Sequence, residues 1–291
     1  MSVTNPRLPS LQARLTRLAA QPVRGGLLSI EDAGALAAAG FEPISEVIGA
    51  ATGFEGGGGF YSSGNLDLAT GRGRTYTSTA ANVAVGTPPS LIALKARYAL
   101  MLNRLVSEAR AVGADGVIGI KIERSEIRLE PPLSSFVATG TAVRAVGRVH
   151  SDRPFTTDLS GAQVASALRS GWVPVSLLIT PCMAIRRIDQ FSQSQRRRWA
   201  GNGEVDAYTD LVTTCRAQAR KDFTAAAGRI GADGAVLSEI SLRFHPVQTE
   251  GSATALVTVI GTALAGFRPP ARQPRPLTML RLGSDAKENS S

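Results

Sequence analysis

What this chain of 291 residues has little of narrows its chemistry first. Aromatic residues make up 5% of it, within a hydrophobic content of 43%. Its cores must therefore be filled by aliphatic and small side chains, with backbones in close contact. There are two histidines, His150 and His245, and two cysteines, Cys182 and Cys215. No Cys-x-x-Cys or His-x-x-x-His spacing occurs, so the usual ligand pattern of a structural zinc site is missing. Neither histidine lies beside a Ser or Cys nucleophile in a triad-like context. The Gly run at 56–59 lacks the Lys-Ser/Thr pair of a phosphate-binding P-loop and reads as a flexible loop. No stretch approaches the roughly 18 apolar residues of a membrane span. The opening residues hold no apolar core of a signal peptide. Two cysteines in such a chain read as reduced thiols in a cytoplasmic protein.

Charge is lopsided. The net charge is +9, from 32 Lys and Arg against 23 Asp and Glu. A basic balance admits nucleic acid or an anionic surface as partner, although an arginine-rich composition explains it more simply. Two short runs are the candidate contacts: GRGR at 71–74, and Arg196, Arg197 and Arg198 followed by Trp199. They could neutralise phosphates and stack a base. Both fall between predicted elements, where a charge run is ordinarily just solvated. Near the start, Leu11, Leu15 and Leu18 share a helical face opposite Arg14 and Arg17, a pattern for packing on protein rather than on a membrane surface.

Internal repetition organises the rest. Gly-Ala-Asp-Gly occurs at 113–116 and again at 231–234, an offset of 118. Upstream, LSIEDAGALAAAGFEPIS (28–45) aligns with LSGAQVASALRSGWVPVS (159–176) at an offset of 131. Downstream, Gly140-Thr141-Ala142 aligns with Gly261-Thr262-Ala263 at 121. Three matches in one order with drifting offsets point to a duplicated unit with loop insertions.

Each upstream match is punctuated as a short helix. Ser29 and Ser160 are N-caps, Asp32 and Gln163 follow three residues later, and Gly40 and Gly171 suit a left-handed stop. An extended apolar segment comes next, ISEVIGA or VSLLIT. A long helix is predicted from Leu91, Leu94, Tyr98, Met101, Leu105 and Val112, with Ser90 as its cap. Its counterpart uses Tyr208, Val212, Cys215, Ala219, Phe223, Ala226 and Ile230. After each Gly-Ala-Asp-Gly the period becomes 2, putting Ile118, Ile120 and Ile122 on one face, and Val236, Ile240, Leu242 and Phe244 likewise. A last strand follows at 136–143 and 254–265. The fold class is α+β: two tandem repeats, each a small sheet with one short and one long helix. The expected organisation is a basic N-terminal segment (1–26), a first domain (27–150), a second (151–268) and a disordered Pro- and Arg-rich tail (269–291). Loops at 51–90 and 181–206 differ between the copies.

The long helix ending in ARAVGADGVIGIKIE, with a closing strand ending in GTAV, resembles the YbjQ family of small bacterial domains labelled heavy-metal-binding. The resemblance covers roughly 41–52 and 91–147, and more weakly 172–181 and 205–266. It implies an α+β unit and assembly into rings known as pentamers. A fused pair cannot tile an odd-numbered ring, so an even ring, two stacked tiers or a pseudo-dimer stay open. Some members carry a Cys in the first strand, where Ile48 and Ile179 stand here.

The candidate ligands are few. Cys182 and Met183 form a soft pair that, with His245, could hold a soft or transition metal ion. Cys215 falls on the apolar helix stripe and reads as core. Asp115 and Asp233 could bind a cation or polar ligand in their Gly-rich loops. The plainer reading is a turn, with Gly113 and Gly231 left-handed and each Asp accepting backbone N–H groups. The sequence therefore predicts a non-enzymatic binding and assembly protein, a homo-oligomer or pseudo-dimer. Two other classes stay open: a nucleic-acid or anionic-surface binder using its arginines, and an enzyme with an unrecognised site.

Overall fold

The computed structural model describes residues 27–54, 76–78, 83–127, 133–147, 152–187, 206–245 and 252–267. In chain order the elements are α1 (Ile30–Ala38), β1 (Phe41–Phe54), β2 (Tyr76–Ser78), β3 (Val83–Gly86), α2 (Pro89–Ala111), β4 (Gly116–Ile127), β5 (Leu133–Ala145) and β6 (Phe155–Thr156). They continue with α3 (Gly161–Arg169), β7 (Trp172–Arg187), α4 (Asp206–Arg229), β8 (Gly234–His245) and β9 (Ser252–Gly266). The fold is α+β, with two sheets ordered β1-β5-β4-β6 and β2-β3-β7-β9-β8. Among the described residues no helix is long and apolar enough to cross a membrane. The segment 1–26, the tail 269–291, His150, the Gly run, GRGR and the run Arg196, Arg197 and Arg198 lie outside the described residues.

The short helices start and stop as their sequences dictate. The Ser29 side chain accepts from the Asp32 N–H, and Ser160 forms a full capping box with Gln163. Gly40 and Gly171 close them with φ of 82° and 87°, where a side chain would be strained. The long helix of the first half is entered differently from the expected Ser90 cap. Pro88 is its N-cap, without a side-chain bond, and Ser90 sits inside the first turn. Proline at the first helical position supplies the right φ and removes an N–H that would have no partner.

Three apolar clusters hold the elements together. In the first, Leu91, Leu94, Tyr98, Met101 and Leu105 of α2 pack on Val47, Ala51, Val117, Phe136 and Ala138. Leu177, Met183, Leu256 and Ile260 of the second sheet join the same cluster. In the second, Leu211, Cys215, Ala219 and Phe223 of α4 pack on Cys182, Ala184, Ala255, Val257 and Val259. The buried face of α4 thus runs through Leu211 and Ala227, while Ile230 is exposed, so the stripe is rotated slightly from the expected one. The third cluster joins the halves: Leu36, Ile118 and Val143 meet Leu159, Val164 and Leu264.

Period-2 reading of β4 fails at one place. The β4–β5 register shifts between Ile118 and Lys121, and Gly119 has φ of 60°. This bulge turns the strand over. Ile118 enters the cluster between the halves and Ile120 enters the one under α2, so the two do not share a face. β8 shifts likewise between Leu237 and Glu239. Ile240 and Phe244 pack toward α4, whereas Val236 and Leu242 are exposed.

Close backbone approach matters most at Gly49, where a methyl group would collide with the Met101 carbonyl oxygen and the Leu105 nitrogen of α2. Gly49→Ala should therefore push α2 off β1 and cost at least the 1–3 kcal/mol typical of overpacking. Urea unfolding should show a lower midpoint with an unchanged slope.

Candidate functional site

The two Gly-Ala-Asp-Gly segments are joints between a long helix and a strand. Gly113 and Gly231 adopt φ of 68° and 71° and end their helices. The Asp115 carboxylate accepts the Ala145 N–H at 2.8 Å, and Asp233 accepts the Gly266 N–H at 2.9 Å. The Asp115 and Asp233 N–H groups in turn donate to Val143 and Leu264. Each aspartate thus ties the joint to the end of the neighbouring antiparallel strand, β5 for Asp115 and β9 for Asp233. Arg144 adds two bonds to the Val112 and Gly113 carbonyls at the helix end, where a cation also suits the helix dipole.

The proposed soft ligands are not brought together. Adjacent residues on a strand point to opposite faces. Cys182 therefore packs under α4 while Met183 packs toward α2. His245 pairs with Thr254 on the far side of β9, and Cys182 pairs with Val257. Two strand spacings and three residues put their backbones roughly 14 Å apart. Among the described residues, no group of three or more His, Cys, Asp or Glu is arranged to hold a metal.

Cys182 meets Cys215 instead. Both are buried and free, and the Cys215 thiol lies 3.4 Å from the Cys182 carbonyl oxygen and 3.5 Å from that of Ala255. Hydrogen bonding with the Cys215 thiol and burial push the Cys182 thiol far above its ordinary range. A protonated thiol is neither a nucleophile nor a metal ligand. Glu108 passed unnoticed in the sequence, yet it is a fully buried carboxylate whose Oε2 accepts the Ile48 N–H at 2.6 Å. A signal was present: position 108 continues the Leu105 row on the apolar stripe of α2.

The most elaborate contact is the junction between the halves. Residues 155–159 run along the free side of β4. Phe155 and Thr157 donate to the Asp115 and Val117 carbonyls, and Gly119 and Ile120 donate to Leu159 and Thr157. In the opposite direction β3 of the first half pairs with β7 of the second. The Thr157 and Thr262 hydroxyls meet at 2.7 Å, and Thr262 also bonds Asp158. α1 and α3 cross closely enough that a methyl at Gly161 would strike the Asp32 backbone. From α1 the Asp32 carboxylate accepts the Ala162 N–H at 2.9 Å, capping α3. That backbone bond holds Asp32 below the usual carboxylate value of 3.8, helped by Ser29 and Ser160 and opposed by partial burial.

Two comparisons bear on this arrangement. A family model described as "Putative heavy-metal-binding" (YbjQ) matches residues 67–146, which end just past β5. The chain is also similar to an encapsulin nanocompartment protein of Mycobacterium tuberculosis. The two are 28% identical over 242 residues, which span 79% of this chain and 84% of that protein.

Two outcomes check this geometry. A thiol reagent such as dithionitrobenzoate should leave both cysteines untouched in the folded chain and titrate two per chain in denaturant. Rapid reaction of the folded chain would contradict their burial. Asp32→Ala should cost about 1 kcal/mol near neutral pH, the usual scale of a lost N-cap. Because folding lowers this pKa, the contribution exists above the unfolded value and disappears as pH falls through the folded one. The gap between wild type and variant, read from denaturant melts, should therefore close below about pH 4.

Proposed function

We propose that the chain is a non-enzymatic assembly protein made of two YbjQ-like units in tandem, spanning 27–150 and 151–268. The junction carries this reading: each half lends a strand to the other's sheet, β3 to β7 and residues 155–159 to β4. Such an interface suits units built to join by their sheet edges. The order of elements supports duplication, since both halves share short helix, strand, long helix, strand, strand, with β2 and β3 inserted before the long helix of the first and β6 preceding the short helix of the second. The paired bonds Asp115–Ala145 and Asp233–Gly266 support it too. The family match supports a binding or assembly role over a catalytic one, and so does a relative named for a nanocompartment. With Cys182 and Met183 on opposite faces, a metal has no ready seat on them, and self-association is the role the geometry favours.

Native mass spectrometry of the full chain, with and without added zinc or copper, tests the reading. The expected result is an oligomer of whole chains that does not depend on either ion. A strict monomer under all conditions overturns assembly, and an oligomer that forms only with stoichiometric metal returns the function to metal binding.

A further inference from the structure

The chain has two cysteines, and they meet in one contact. Cys182 lies on β7 and Cys215 on α4, 33 residues further on. The Cys215 thiol sits 3.4 Å from the Cys182 carbonyl oxygen and 3.5 Å from that of Ala255, and the two thiols hydrogen-bond each other. They are 3% and 0% exposed, in a cluster with Ala184, Ala219, Ala255 and Val257. Neighbours this small let α4 settle close to the sheet. Close approach of the two backbones is what a disulfide requires, with Cα atoms about 4.4–6.8 Å apart.

The pair belongs to the second half only. At the offset of 131, Ala51 stands where Cys182 does, and α2 carries no cysteine. Packing therefore does not call for thiols: Ala51 fills the matching place on β1, beneath α2. The two sulfurs are also unequal. The Cys182 thiol lowers the pKa of Cys215 below its ordinary value, against burial and with help from the Val257 and Ala184 backbone N–H groups. Cys215 is thus the member that supplies a thiolate. Asp222 of α4 opposes this, and Lys95 of α2 acts on Cys182 in the other direction.

We propose that Cys182 and Cys215 are a redox-sensitive pair that a peroxide converts to a disulfide, tying α4 to β7. The Cys215 sulfur attacks one peroxide oxygen and the O–O bond breaks. The departing hydroxide takes up the thiol proton and leaves as water, with Cys215 as a sulfenic acid. The Cys182 sulfur then attacks the Cys215 sulfur and the S–O bond breaks. The Cys182 proton joins the leaving hydroxide as a second water. The two thiols give up two electrons, and the peroxide is reduced to two waters. A dithiol reverses the step by exchange. The bond closes residues 183–214 into a loop, which restricts the unfolded chain and holds the helix that packs on β7 and β9. Burial shuts out bulky thiol reagents and leaves the pair to oxidants little larger than water. The contact lies within one chain, so this does not rest on assembly.

Hydrogen peroxide acting on the folded full chain tests it. The chain is then quenched, denatured, alkylated with iodoacetamide and weighed by mass spectrometry. Untreated chain should carry two alkyl groups and treated chain none, and dithiothreitol should restore both sites. Peptide mapping should find Cys182 joined to Cys215. The oxidised chain should melt several degrees above the reduced one. Peroxide should give no such rise in Cys182→Ala or Cys215→Ala, and the result on wild type decides the matter even if a variant folds poorly. Two alkylated thiols after prolonged exposure overturn the pair. So do sulfinic or sulfonic cysteines in place of the crosslink, or crosslinks only between chains. A disulfide that lowers the melting temperature overturns its role as a tie.

Discussion

The free edge of a β-sheet is the constraint on which this structure turns. An edge strand carries a row of N–H and C=O groups that must be bonded, hidden or left to water. In this chain the two halves answer the demand for each other. β3 extends the second sheet at β7, and the stretch 155–159 extends the first at β4. Once those strands are exchanged the remaining contacts follow. α1 must cross α3, so Gly161 has no room for a side chain and Asp32 comes within reach of the Ala162 N–H. Thr157 and Thr262 end up buried against each other, and their hydroxyls satisfy one another.

The same demand explains the Gly-Ala-Asp-Gly joints. A helix that turns into a strand leaves carbonyls at its end without helical partners. Left-handed glycines reverse the chain, and the aspartate holds the neighbouring strand end by its N–H. A motif that could have been a ligand loop is thus occupied with structural bonds on both of its aspartates. The buried thiols are structural in a similar sense. Cys182 and Cys215 fill the space between β7 and α4 among small aliphatic residues, which an aromatic-poor sequence must supply by close packing.

Clusters of ligating side chains are absent among the described residues. The polar groups deepest in the fold, Glu108, Asp115, Thr157 and Thr262, are bonded to backbone or to each other. Exposed large apolar side chains are spread over several elements, among them Leu27 and Ile30 at the start of α1, Ile92 and Leu100 on α2, and Val236, Leu237 and Leu242 on β8.

Much of this was legible in the residues. Capping serines, stop glycines, the long-helix stripe and the aspartate turns are local, and local geometry follows from the type of a few neighbouring side chains. Hence Ser29, Gly40, Gly113 and Ser160 behave as their sequence predicts. Other features depend on partners distant in the chain. The bulge at Gly119 separates Ile118 from Ile120 because two different helices claim them. Alternation along β7 sends Cys182 and Met183 to opposite cores, which adjacency in sequence conceals. Glu108 could be seen as a charge on an apolar stripe, but its partner, the Ile48 N–H, lies sixty residues away. The sequence by itself determined the elements and their order, since propensity, capping and periodicity act over a few residues. Only the tertiary structure decided which strand edges pair with which, because edge pairing is a contact between distant segments and no local pattern records it.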